Sequence, residues 1–264
     1  MKPPPFDYLR PETLEGVLDA LAQNGGEAKV LAGGQSLVPA LSMRLVRPAL
    51  LVDINRIPVL NEVVDEGAMR VGATVRQADP RLLAHPLLAE ALPNVGHFVT
   101  RNRGTVCGSI AHADAAAELP VALVTAGGSV VATSRSKTRE IPAGDFFLGP
   151  YTTALEPGEI VVETIWPQPR EDETYAFEEL AQRAGDYALA MASARVHGDE
   201  LRVVLGSVVE RPIVLEVDPE HPGESAAAQV EPWGSIHATP AYLKQLVRVL
   251  VDRAVARARG RTVV

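Results

Sequence analysis

The sequence predicts an α+β chain in two parts, a mixed helix and strand region over residues 1–170 and an antiparallel sheet closed by a helix over residues 171–264. Three observations predict it. Up to Trp166, strand-like apolar runs alternate with helical runs bounded by glycine or proline. The polar stretch PQPREDET at 167–174 then interrupts the pattern. After it strands follow one another, two of them joined by the tight turn HGDE, before a closing amphipathic helix.

Within residues 1–56, Thr13 is placed to cap a helix over TLEGVLDALAQNGG, with Leu14, Val17, Leu18 and Leu21 at helical spacing and Gly25 and Gly26 as its stop. The strand KVLA, the connection GGQS, the helix SLVPALSMRLV and the buried strand ALLVDI complete a strand–helix–strand unit. Residues 57–170 repeat the pattern at larger scale. The strand MRVGAT leads into QADPRLLAHPLLAEAL, a helical stretch broken by Pro80 and Pro86. A polar glycine loop, RNRGTVCGSIAHADAA, precedes the helix LPVALVTA, which Gly127 and Gly128 stop, and the strands SVVAT and IVVETIW follow. In the second part YAFEEL, YALAMASARV and LRVVLGSVV read as strands, and DPEHPGESAAAQVEPWGS as a loop. From Thr239 a helix carries Leu243, Leu246, Val247, Leu250 and Ala254 as one apolar stripe.

Composition removes several function classes. The net charge is -8 and the basic residues are scattered, which excludes the basic face a nucleic-acid partner needs. The first residues, MKPPPFDYLRPETL, carry no apolar leader, and no run reaches the ~18 apolar residues of a membrane span, so a cytoplasmic chain is expected. Cys107 is the single cysteine, too few for an intrachain disulfide or a cluster held by four thiolates of this chain. The six histidines lack metal-site spacing, and no metal is expected.

The chemistry concentrates in two glycine segments. Phosphate binding needs bare N–H groups and close backbone approach. Ala32, Gly33, Gly34, Gln35, Ser36 and Leu37 offer this between a strand and a helix, although the pattern is not GxGxxG and a plain glycine turn would look the same. The second segment, Thr105, Val106, Cys107, Gly108 and Ser109, again joins glycine and hydroxyl residues ahead of a helix, with Asp114 and Glu118 close behind. Two such cradles suit a diphosphate carrying sugars, the acids meeting sugar hydroxyls. Asp114 as a helix cap and Glu118 as a helix-dipole partner are the plainer alternatives.

LAGGQSLVPALSMRLVRPALLVDI together with RNRGTVCGSIAHADAAAELP closely resembles the FAD-binding medium subunit of the carbon monoxide dehydrogenase and xanthine dehydrogenase class of molybdenum hydroxylases. FFLGPYTTALEPGEIV, AGDYALAMASA and HATPAYLKQLVRVLVDRAV resemble it too, in the same order. The resemblance implies a PCMH-type FAD-binding domain of two subdomains (1–56 and 57–170) followed by the C-terminal domain of that flavoprotein class. It implies that residues 32–37 and 105–109 hold the two sides of the FAD diphosphate, with Asp114 and Glu118 near sugar and ribityl hydroxyls. Tyr187 matches an aromatic near the flavin edge, a position a half-buried strand tyrosine would also fill. Arg183 is a second candidate to tune the flavin, and no catalytic acid or base is implied.

Cys107 departs from the family pattern, standing where the first glycine of a pair is usual. Its replacement by glycine is expected to be tolerated. The segment from Asp218 to Ser235 is expected to lack a peripheral helix. The resemblance further implies a large molybdenum-cofactor subunit and a small iron–sulfur subunit as partners in a dimer of heterotrimers. Electrons would pass from the partner's clusters through FAD to an external acceptor. Two other readings stand beside it: a flavin-free scaffold of the same complex, with Cys107 as the lesion, and a self-sufficient flavin oxidoreductase.

Overall fold

The computed structural model describes residues 2–260. Strand β1 (Asp7–Leu9), helix α1 (Leu14–Asn24), strand β2 (Ala28–Leu31), helix α2 (Leu37–Ser42) and strand β3 (Leu50–Asp53) form the first unit. Its sheet has the order β1-β3-β2, every pair parallel. Thr13 caps α1 through a hydrogen bond from Gly16 N, as the sequence predicts. Helix α2 is shorter than SLVPALSMRLV indicates, because the chain leaves helical geometry at Arg44, whose φ is +59°.

The second unit holds β4 (Val63–Asp65), β5 (Ala68–Gly72), α3 (Pro86–Ala91), α4 (Phe98–Arg101), α5 (Val106–His112), α6 (Glu118–Ala126), β6 (Ser129–Thr133), β7 (Thr138–Pro142), α7 (Ala143–Phe146), β8 (Phe147–Gly149), β9 (Thr152–Thr153) and β10 (Ile160–Pro167). Its main sheet runs β4-β5-β10-β6-β7, antiparallel throughout. The third unit comprises β11 (Thr174–Ala181), β12 (Ala188–His197), β13 (Glu200–Gly206), β14 (Ile213–Leu215), α8 (Pro222–Ala228) and α9 (Pro240–Ala258), with sheet order β11-β12-β13-β14. The predicted hairpin is present: His197 pairs with Glu200 across Gly198 and Asp199. Helix α8 lies inside the stretch expected to be a loop. Its seven residues are anchored by buried Pro222 and Ala226 and by Gly223 N, which donates to Asp252 of α9 at 2.8 Å.

Alternation along the third sheet joins the units. Ala176, Ala190, Ala192, Ala194, Val203 and Leu205 point to α9, and the small alanines let that long helix lie close. Phe177, Met191 and Val204 point the other way and enter the core built by the first 170 residues. Between the sheets runs α6, buried over all nine residues, which is why its sequence is apolar apart from Glu118 and Thr125.

Where β10 passes into β11, His85 is buried beside Trp166 and Tyr175, ring centroids 5.7 and 5.8 Å away. Its Nε2–H donates to the Pro167 carbonyl at 3.1 Å, and Nδ1 has no partner among the described residues. Burial pushes this imidazole below its usual 6.5, only partly offset by the Pro167 carbonyl and by Asp65 and Glu173. A depressed histidine contributes stability that is present above the unfolded pKa and lost as pH falls through the folded one. Thermal melts are therefore expected to weaken below about pH 6.5, and His85→Gln to reduce that slope relative to wild type.

Candidate functional site

The first glycine segment leaves β2 and turns into α2. A Cβ on Gly33 would lie 2.4 Å from the Arg103 carbonyl oxygen and 2.8 Å from Gly104 Cα, so this backbone is packed directly on the second segment. Gly34 has φ +74°, the left-handed region that favours glycine. Among the described residues, the N–H groups of Gly33, Gly34, Gln35 and Ser36 meet no acceptor in the chain, and the Ser36 hydroxyl does not cap α2.

The second segment is not a loop, as the sequence suggested, but the start of α5. Thr105 is its N-cap, Oγ1 accepting from Gly108 N at 3.0 Å, which accounts for the glycine and hydroxyl pattern. Val106 N donates to the Val75 carbonyl at 3.2 Å and its side chain is buried behind the wall. The Cys107 thiol also turns inward, donating to the Val71 carbonyl at 3.3 Å, and burial pushes it up to about 12. It is a neutral packing group. Cys107→Gly is consequently not neutral: a helical glycine costs about 1 kcal/mol and the lost buried side chain about 1 to 2 more. A lowered melting temperature with unchanged flavin content is the expected result.

The two acids lie at the far end of α5. Asp114 Oδ1 accepts from Ala116 N at 3.0 Å and Oδ2 from the Tyr151 hydroxyl at 3.1 Å. Tyr151 N in turn donates to the Ala113 carbonyl at 2.8 Å; both residues have positive φ, +54° and +52°. Glu118 opens α6 and is buried; desolvation, with the negative charges of Glu179 and Asp114 nearby, pushes its carboxyl up to about 8. Tyr187 is not a half-buried strand residue but sits exposed on the turn before β12, its phenol raised by partial desolvation and by the Asp114 carboxylate.

These surfaces enclose a cleft of about 640 Å³, in the size range of small-molecule and cofactor sites. Residues 32–37 line one wall; Thr105, Cys107, Gly108 and Ser109 line the other, with Asp114, Glu118 and Tyr187 at one end. Val106 and Arg183 are outside the lining, Val106 being buried and Arg183 exposed. Nothing in the sequence singles out Gln77, which lines the cleft almost fully buried with Oε1 unpartnered among the described residues. Tyr151 carries no signal of its own either, although it falls within FFLGPYTTALEPGEIV, one of the stretches that bear the family resemblance.

The model of the FAD binding domain in molybdopterin dehydrogenase matches residues 4–169. The chain belongs to this FAD-binding family. Similarity to family members extends over its length. The 6-hydroxypseudooxynicotine dehydrogenase complex subunit alpha of Paenarthrobacter nicotinovorans is 37% identical, covering 99% of this chain and 97% of that one. The nicotine 6-hydroxylase medium subunit of the same organism is 33% identical over 99% and 100%. A chain of the carbon monoxide dehydrogenase from Hydrogenophaga pseudoflava, in a structure lacking the Mo-pyranopterin moiety, superposes with a TM-score of 0.93 at 30% identity, covering 100% of both.

As a family member this chain is an oxidoreductase component, an FAD-binding medium subunit of the molybdenum hydroxylase type. Its residues fit the cofactor: bare N–H groups on Gly33 through Ser36 suit a diphosphate, and polar side chains at the far end suit hydroxyls. Among the described residues no helix is long and apolar enough to cross a membrane.

Proposed function

We propose that this chain is the electron-transfer station of a three-subunit molybdenum hydroxylase, receiving electrons from iron–sulfur clusters of a small partner and passing them to an external acceptor. The large partner would carry the molybdenum cofactor, in a dimer of heterotrimers. Bound FAD supplies the redox chemistry, accepting and releasing electrons. Residues 1–170 are the FAD-binding part, in halves 1–56 and 57–170, and 171–264 the C-terminal domain that brings Tyr187 to the cleft.

One observation carries the reading: two glycine segments from different halves meet backbone to backbone at the wall of a single cleft. Bare N–H groups of 33–36 face the diphosphate, Thr105 and Ser109 supply hydroxyls, and neutral Glu118 both donates and accepts toward a ribityl or sugar hydroxyl. Tyr187 flanks the flavin. The inward turn of Cys107 supports flavin retention, since the thiol does not obstruct the cleft.

The test is purification from the native source with identification of accompanying chains, followed by anaerobic addition of reducing substrates. The expected result is bleaching of flavin absorbance in the assembled complex and none in the isolated flavoprotein. Bleaching by substrate in the isolated chain would overturn the assignment in favour of a self-sufficient oxidase.

A further inference from the structure

The two glycine segments come from different halves of the FAD-binding part, yet a diphosphate requires them at one fixed separation. Two polar residues outside the cleft join them. Asn55 Nδ2 donates to the carbonyls of Leu31 and Ala32, at 3.2 and 2.8 Å, where the first segment begins. Its amide is oriented by Asp53, whose Oδ1 accepts from both Asn55 N (2.9 Å) and Nδ2 (2.6 Å). The Asn55 Oδ1 accepts from Arg76 Nη2 at 2.6 Å, and Arg76 Nη1 donates to the Arg103 carbonyl at 2.6 Å. That carbonyl is the atom lying against Gly33. Arg76 also pairs through its backbone with Thr105, and Gln77 N donates to the Gly104 carbonyl at 2.9 Å.

We propose that Asn55 and Arg76 are positioning residues that set the spacing of the two glycine segments and thereby the grip on the FAD diphosphate. The proposal rests on the FAD reading of the cleft. Arg76 is partly buried, and burial lowers its guanidinium pKa. It forms no ion pair among the described residues, although Asp53 lies near enough to favour its charge. A planar fork reaching an amide and a carbonyl at once is a geometry arginine provides and lysine does not. Neither side chain touches the diphosphate; both act through the segments they hold.

The test measures affinity, not turnover. The FAD-free full-length chain is titrated with FAD and separately with ADP, which carries the diphosphate without the flavin. Asn55→Ala and Arg76→Met are each expected to weaken both ligands in parallel, by roughly 10- to 100-fold as for other supporting residues. The double variant should lose no more than the worse single one, because either change opens the same link. Arg76→Lys should recover part of the loss. Arg81→Met, removing an exposed arginine paired with Asp79, should leave both affinities unchanged.

Melting temperatures of the FAD-free variants separate positioning from folding: a small change beside a large loss of affinity supports the proposal. If Arg76→Met does not fold, Arg76→Lys and Asn55→Asp carry the same comparison. Wild-type affinities in the variants, additive losses in the double variant, or a loss confined to FAD would each overturn the proposal alone. A wild-type chain binding neither ligand would overturn the FAD reading and this proposal with it.

Discussion

A Gly33→Ala chain is expected to purify largely without flavin, and Gly33→Val entirely so. The reason is not a side chain protruding into the cofactor's place. An added Cβ would meet the Arg103 carbonyl oxygen at 2.4 Å, Gly104 Cα at 2.8 Å and Thr105 N at 3.0 Å, all backbone atoms. They yield only if the segments separate. Overpacking costs about 1 to 3 kcal/mol, and segments that relieve it by parting transfer it to flavin affinity, about 5- to 150-fold. Alanine alone creates the clash, so it should do most of the damage; a steric plug would instead leave alanine mild and valine severe. The ratio of flavin to protein absorbance, with a melt of the FAD-free chain, decides between them. Full occupancy in Gly33→Ala would show that the contact is loose.

The sequence carries the fold where local physics and tertiary packing agree. Thr13 and the Leu14, Val17, Leu18, Leu21 spacing specify α1, and the stripe from Leu243 to Ala254 specifies α9. Strands β1 and β14, three residues each, show no readable alternation; their neighbours in the sheet make them strands. The second glycine segment reads as a loop because RNRGTVCGS is dense in glycine and polar residues. Thr105 capping Gly108 N is what turns it into helix. The cleft is legible as two separate segments, whereas their contact is not, since Gly33 meeting Arg103 and the Asn55–Arg76 link depend on pairings distant in the chain.

Glu118→Gln is expected to stabilise the FAD-free chain at alkaline pH and to leave it unchanged in acid. Glu118 is only 5% exposed, and desolvation raises its folded pKa from 4.5 to about 8. The groups around it compound the effect: Asp114 and, once ionised, Glu179 add negative charge, and a backbone hydrogen bond and Arg101 offset the rise only in part. A carboxyl raised in this way contributes stability that is full below the unfolded pKa and lost as pH rises through the folded one. Every tenfold difference in proton affinity between the folded and unfolded chain is worth about 1.4 kcal/mol, so the loss accumulates across the window from 4.5 to about 8. Glutamine keeps the shape and the neutral hydrogen-bonding groups but cannot ionise. Urea unfolding across that window should therefore give two curves that coincide at its acid end and diverge toward its alkaline end, wild type falling further. Glu179, raised by burial to about 7, leaves some slope in both. FAD affinity should follow the same order, weakening for wild type above about pH 8 and holding in Glu118→Gln, because an ionised Glu118 no longer donates to a cofactor hydroxyl and places a buried negative charge beside an anionic ligand. Parallel unfolding curves for the two chains would mean that Glu118 is already ionised in the fold.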